Sequence, residues 1–195
     1  MRGVTRVLNA MAFTLPKIGD GFVLRDFVMG DAQPLAEIEY DQDVKKYLAI
    51  PNRDRAEWVR VFSPDLAFGW AIELTPEGVL AGRASISKCS PGEGELQIVI
   101  AKPFWGRRLG RKTAQVLIPA AFEELNAVKL IGVVHPENHA SLALLRAWGF
   151  SNRGKKDCPE DDWQYGHLIF ELTRNAYNKL PHPTLGRVNS DVRGL

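Results

Sequence analysis

The stretch Glu95–Leu117, ELQIVIAKPFWGRRLGRKTAQVL, reads as strand, loop and helix in turn. Glu95–Ala101 is an apolar, β-branched run suited to a strand. Within PFWGRRLGRKT, Pro103–Thr113, four of eleven residues are cationic and two are glycine. From Gly110 to Asn126, apolar residues recur at Ala114, Leu117, Ile118, Ala121, Phe122 and Leu125, the stripe of a helix lying on a sheet. A strand, a glycine-containing basic loop and a helix in that order aim backbone N–H groups and a helix N-terminus at an anion. Arg107, Arg108, Arg111 and Lys112 add full charges, so the loop suits a phosphate-bearing ligand.

Several ligand classes fit poorly. A P-loop needs GxxxxGK[ST], but Gly106 and Gly110 are separated by three residues and Lys112 follows Gly110 by two. The dinucleotide fingerprint GxGxxG is absent. A nucleic-acid groove would interleave aromatics with its cations, whereas the helix behind this loop turns apolar within one turn. A solvated basic turn that binds nothing is the remaining alternative.

The rest of the chain narrows the setting. Its 195 residues suffice for one domain with a real core, and 45% hydrophobic with 25% charged residues is ordinary for a globular protein. A net charge of +2 gives no general attraction to nucleic acid or membrane, so a basic site must be local. Cys89 and Cys158 form no CxxC pair, which argues against zinc. No signal peptide or long apolar span is legible, and a reducing cytoplasm with free thiols is expected. Self-association into a homodimer is compatible with the sequence.

Working outward, Phe22–Phe27 alternates as a strand, and Asp31 is placed to cap a helix over the following residues. Asp41–Leu48 and Arg53–Phe62 read as short helices. Gly69–Leu74 and Val79–Ser87 flank the turn signal TPEG and form a hairpin. Val128–Val134 suits a buried strand, Asn138–Phe150 a helix stopping at Gly149, and Asp162–Leu172 a late strand. Residues 13–179 form one domain, with 1–12 and 180–195 as peripheral tails. Strands separated by helices after an early hairpin give a mixed α/β sheet covered on both faces.

The order of these pieces resembles the Gcn5-related N-acetyltransferases, the GNAT family, from about Leu15 to Leu172. The matching parts are the central strand, a loop of the [Q/R]-x-x-G-x-[G/A] type, a second strand, and an N-x-x-S helix ending in Gly149-Phe150. The opening FVLRDFVMGDAQPLAEIEYDQDVKKYL is similar to the Rim-type branch, which acetylates N-termini of ribosomal proteins. The resemblance implies a single-domain, mostly antiparallel twisted sheet of about seven strands with a splayed parallel central pair. It also implies acetyl-CoA as co-substrate, without a metal. The backbone of Val99 and Ile100 would receive the pantetheine arm. The N–H groups of Arg107, Arg108, Leu109, Gly110, Arg111 and Lys112 would hold the pyrophosphate. One departure stands out: Arg108 occupies the place of the first loop glycine, so either it keeps a negative φ or the loop is reshaped.

Acetyl transfer to an amine needs a neutral nucleophile. An α-amine of pKa near 7.8 is roughly one-seventh neutral at pH 7, a lysine near 10.4 only about 0.04%. Glu95 is the candidate base, acting directly or through water; a solvated strand-end carboxylate is its bland alternative. The tyrosine that many members place before the GF pair falls on Leu145, which leaves Ser141 to serve the departing thiolate. Asn138 would bond the pantetheine, and helix capping explains Asn138 and Ser141 equally well. His135 and His139 are spaced like a metal pair, but Pro136 breaks the helix between them; His139 is a candidate auxiliary base. Trp148 and Phe150 read as core, while Trp70 and Trp163 suit either core or cleft. The acceptor is expected to be a peptide N-terminal α-amine. The rivals are a small amine, such as an antibiotic or a polyamine, and a non-catalytic CoA-binding module. A polyamine would be favoured if Glu37, Glu39, Asp41 and Asp43 lined the cleft rim.

Overall fold

The computed structural model describes residues 15–48, 54–64, 69–160, 162 and 164–181. Trp163 and most of both expected tails lie outside these. The strands are β1 (Lys17–Gly19), β2 (Phe22–Arg25), β3 (Trp70–Leu74), β4 (Val79–Ser90), β5 (Glu93–Ile100), β6 (Lys129–Val134), β7 (Ser151–Lys155) and β8 (Leu168–Thr173). The helices are α1 (Ala32–Tyr40), α2 (Gln42–Lys45), α3 (Arg55–Val61), α4 (Leu109–Glu123), α5 (His139–Ala147) and α6 (Arg174–Tyr177). The strands form one sheet in the order β1-β2-β3-β4-β5-β6-β8-β7, antiparallel throughout except for β5–β6. Eight strands stand where about seven were expected. β7 carries no alternating pattern because all five of its residues are exposed.

Alternation along the strands feeds two cores. Phe22, Leu24, Ile72, Ile86 and Leu96 pack under Leu117, Ile118 and Phe122 of α4 and Leu142 and Leu145 of α5. Ala71, Val99 and Ala101 face the other way, against Leu35 and Ile38 of α1 and Val44 of α2. On the first face a Cβ at Gly132 would sit 3.0 Å from Leu145, so glycine lets α5 lie close on β6. Asp31 does not cap α1. Its carboxylate instead takes two bonds from Arg25, at 2.8 and 2.9 Å, and one from Val28 N–H. Burial alone would raise its pKa, but these donors bring it below the usual carboxylate value.

The feature that positions the site is the parallel pair. β5 and β6 pair at Glu93↔Lys129, Gly94↔Leu130 and Glu95↔Ile131 and then separate, although β5 runs on to Ile100 and β6 to Val134. A wedge therefore opens toward their C-terminal ends, where the basic loop lies.

Candidate active site

The loop leaves β5 through a short 3-10 turn, Lys102–Phe104. Trp105 Nε1 donates back to Ile100 O at 2.7 Å. Gly106 takes φ 75°, and Arg108, the residue just before α4, takes φ 59° and ψ 14°. Arg108 thus keeps the left-handed conformation for which glycine is suited, and the negative φ entertained from the sequence is not adopted. Such a conformation costs a side-chain-bearing residue about 1–2 kcal/mol. Arg107, Arg108 and Arg111 are exposed.

Lys112 N–H donates to Arg108 O at 3.0 Å, the first bond of the helix, and is therefore not available to an anion as expected. Its ammonium is held by the Asp20 carboxylate at 2.7 Å. By position, the amides of Leu109, Gly110 and Arg111 have no intrahelical acceptor. Gly110 is informative. Its φ is not left-handed, and a Cβ there would meet Ile100 and Leu144 only at 3.8 and 4.0 Å, ordinary contact. Neither backbone nor packing requires glycine at this helical position, and glycine in a helix costs roughly 0.5–1 kcal/mol against alanine. An anion approaching the amides is a reason for it that the protein itself does not supply.

The ladder decides which main-chain groups face the wedge. Gly92 O accepts from Val128 N at 2.7 Å on the β6 side, and Ala101 N donates to Ala81 O at 2.8 Å on the β4 side. Since the two sides alternate, Ile98 and Ile100 turn their main-chain groups toward β6, beyond the last paired rung. Val99 turns its own toward Arg83, its partner on β4. Of the two positions expected to receive the pantetheine, Ile100 therefore faces the opening, its carbonyl already accepting from Trp105, and Val99 does not, with Ile98 in its place.

On the α1–α2 face Glu95 stands at the last rung. Its Oε1 accepts from Gln97 Nε2 at 3.0 Å; Gln97 Oε1 accepts from Arg83 at 3.3 Å; and Arg83 also donates to the buried carboxylate of Glu39. Across the wedge His135 follows β6. Its ring lies 5.2 Å from that of His167 and 5.8 Å from that of Tyr47, while His139 is exposed. α2 bridges the two walls: Asp43 pairs with Lys102 after β5, and Lys46 with Glu137 after β6 at 2.9 Å. The four carboxylates considered for a polyamine groove are all engaged. Glu37 holds Arg55 at 2.8 Å, Glu39 holds Arg83, Asp43 holds Lys102, and Asp41 caps α2 through the amides of Asp43 and Val44.

Asn138 caps α5, its Oδ1 accepting from Ser141 N at 3.1 Å. The capping explanation therefore holds for Asn138, while the partly exposed Ser141 hydroxyl makes no hydrogen bond among the described residues. Leu145 is buried against β6, and Trp70, Trp148 and Phe150 belong to the core. Arg83, Gln97, Tyr47 and His167 escaped the sequence reading. Gln97 was reachable, since it shares a strand face with Glu95; the others join the site through pairing and packing. A 510 Å³ hollow lined by Glu93, Lys129, Thr173 and Arg174 lies at the other end of the central strands, away from the loop.

Residues 22–151, more than half of the chain, match the family model described as acetyltransferase (GNAT) domain. The FsC-acetyl coenzyme A-N(2)-transacetylase of Aspergillus fumigatus is 26% identical over 92 residues, 45% of this chain and 39% of that protein, so the chain matches well under half of that enzyme's length. An uncharacterized N-acetyltransferase, p20 of Bacillus licheniformis, is 25% identical over 67% of this chain and 79% of its own length. Among solved structures, a GNAT-family acetyltransferase from Bacillus anthracis superimposes with a TM-score of 0.71 at 20% identity, covering 82% of this chain and 98% of that one. The ribosomal-protein-S5-alanine acetyltransferase of Vibrio fischeri gives 0.65 at 18% identity, covering 84% and 99%. A spermidine N-acetyltransferase chimera of the Vibrio cholerae enzyme and hSSAT gives 0.68 at 16%, covering 83% and 100%. These structural likenesses concern the fold, and the family match concerns the domain. The chain belongs to the GNAT acetyltransferase family.

Proposed function

We propose that the protein transfers acetyl from acetyl-CoA to the α-amine of a peptide or protein N-terminus. The observation that carries this is the wedge: the Ile98 main chain and the Ile100 N–H turn toward it, and the loop that follows ends in the amides of Leu109, Gly110 and Arg111. The inner edge fits an amide-bearing pantetheine arm, and the helix start fits its pyrophosphate, with Arg107, Arg108 and Arg111 adding charge. An N–H in the wedge would polarise the thioester carbonyl as negative charge develops on its oxygen.

Glu95 would accept the proton released as the amine attacks, directly or through water, and the Gln97–Arg83–Glu39 chain holds it in place. The amine's electron pair forms the new C–N bond, the C–S bond breaks, and the sulfur leaves as thiolate. Ser141, whose hydroxyl has no partner among the described residues, would donate to that sulfur. The fold is shared with proteins named for a ribosomal protein and for spermidine, so it does not choose the acceptor. The engaged state of Glu37, Glu39, Asp41 and Asp43 disfavours a polycation, and an α-amine asks least of the base.

Calorimetric titration with acetyl-CoA, followed by thiol-release assays over peptides and small amines, tests the reading. Binding at roughly tens of micromolar or tighter and release of thiol with peptides are expected. Glu95→Gln should cut turnover by about 10²-fold or more while sparing donor affinity, and Ser141→Ala should slow turnover in the same manner. Absence of donor binding would end the proposal, and turnover confined to polyamines would replace the acceptor.

A further inference from the structure

On the face of the wedge that carries Glu95, the β6 wall ends in a group the reaction above does not use. Glu95 pairs with Ile131, so His135, four residues on, projects from the same face. That places it about 13 Å along the strand direction, level with Val99 and across the wedge from the main chain of Ile98 and Ile100. Its Nδ1 accepts from Glu137 N–H at 3.2 Å, which requires a lone pair there. The neutral ring then carries its proton on Nε2, for which no partner exists among the described residues. His167 stands edge-on behind it, 8% exposed, with a buried Nδ1 that has no hydrogen-bond partner among the described residues. Burial first, and then the neighbouring His135, lower the pKa of His167, which keeps this second ring uncharged near neutral pH. Tyr47 and the Lys46–Glu137 pair complete the surroundings.

We infer that His135 is an acceptor-recognition residue whose Nε2–H donates to a main-chain carbonyl of a peptide acceptor. This inference rests on the acetyltransferase reading above and names how that site would choose its amine. His135 is unsuited to be the base, because taking a proton on Nδ1 would break the Glu137 bond. As a donor it needs an oxygen. A peptide carries a carbonyl next to its α-carbon, about one residue length of roughly 3.5 Å from the reacting nitrogen. A polyamine offers N–H donors alone. A site built to donate a hydrogen bond rejects a ligand that leaves the donor unpaired.

The test uses wild-type protein, His135→Gln and His135→Leu with three acceptors: a short peptide with a free α-amine, the same peptide with its first amide replaced by an (E)-alkene, and spermidine. Wild type should show a KM about five- to tenfold lower for the peptide than for the alkene, as one hydrogen bond is worth. His135→Leu should close that gap by raising KM for the peptide, with kcat less affected. His135→Gln, which keeps an N–H, should restore part of it. Melting curves and acetyl-CoA titrations identify a variant that has merely lost its fold; should the leucine variant do so, the glutamine variant and the wild-type gap decide. A wild type that acetylates peptide and alkene alike overturns this inference and leaves the acetyltransferase reading standing. An equal fall in kcat for all acceptors also overturns it, because the donor would then serve the sulfur. Failure to acetylate any amine overturns both.

Discussion

Arg108 sets backbone strain against charge at one residue, and two substitutions separate them. At φ 59° the Cβ of Arg108 costs about 1–2 kcal/mol, which glycine would not incur. Glycine surrenders about 0.4–1 kcal/mol more chain entropy on folding. The balance favours Arg108→Gly by about 0.5–1 kcal/mol, or roughly 1–4 °C in Tm for a chain of this size. Arg108→Ala keeps the strain and deletes the same guanidinium. That group is exposed, so alanine should stay within about 0.5 kcal/mol of wild type. Thermal unfolding followed by circular dichroism, with all three proteins in one buffer, reads the difference. Titration with CoA supplies the second axis: both variants lose the charge and should lose affinity equally. Glycine and alanine variants that melt together would refute the strain argument. A glycine variant that alone lost CoA affinity would refute the division between backbone and charge.

Gly110→Ala should act in opposite directions on stability and binding. The Cβ has room against Ile100 and Leu144, and the helix should gain roughly 0.5–1 kcal/mol, while CoA affinity falls about tenfold or more as a phosphate contact is pushed away. Melting and titration of the same sample check this, and unchanged affinity would remove Gly110 from the cradle. The depressed pKa of His167 links stability to pH. Below its ordinary value of 6.5 the unfolded chain takes up a proton that the folded chain resists, so stability falls as pH drops from about 7 toward 5. His167→Gln should flatten the Tm profile in that window; an identical slope would show that other groups carry it.

What the sequence disclosed was whatever period and local chemistry express. The apolar stripe of α4 and the alternation of β3, β4 and β5 encode their own burial, so the central strand–loop–helix unit was legible. β7 was not, because an exposed edge strand needs no apolar alternation. Asp31 looked like a cap, but Arg25, six residues earlier, offered its carboxylate two bonds that a helix start could not match. Which of Val99 and Ile100 faces the wedge depends on ladder parity, a property of paired strands rather than of composition. His135 and His167 lie 32 residues apart and meet only because β6 and β8 pair with Val134 opposite Leu168. Whether Glu37, Glu39 and Asp43 could line a rim of free negative charge was open in the sequence, because their partners Arg55, Arg83 and Lys102 lie 18, 44 and 59 residues away.

Three parallel rungs join the sheet's two halves, β1–β5 and β6–β8. They form the narrow end of the wedge, with the loop and α2 at its wide end. At the wide end the Asp43–Lys102 and Lys46–Glu137 pairs tie the two halves a second time. Glu95 sits on the last of the three rungs. A carboxylate so placed is fixed through its backbone from both sides, by Ser87 of β4 and Ile131 of β6.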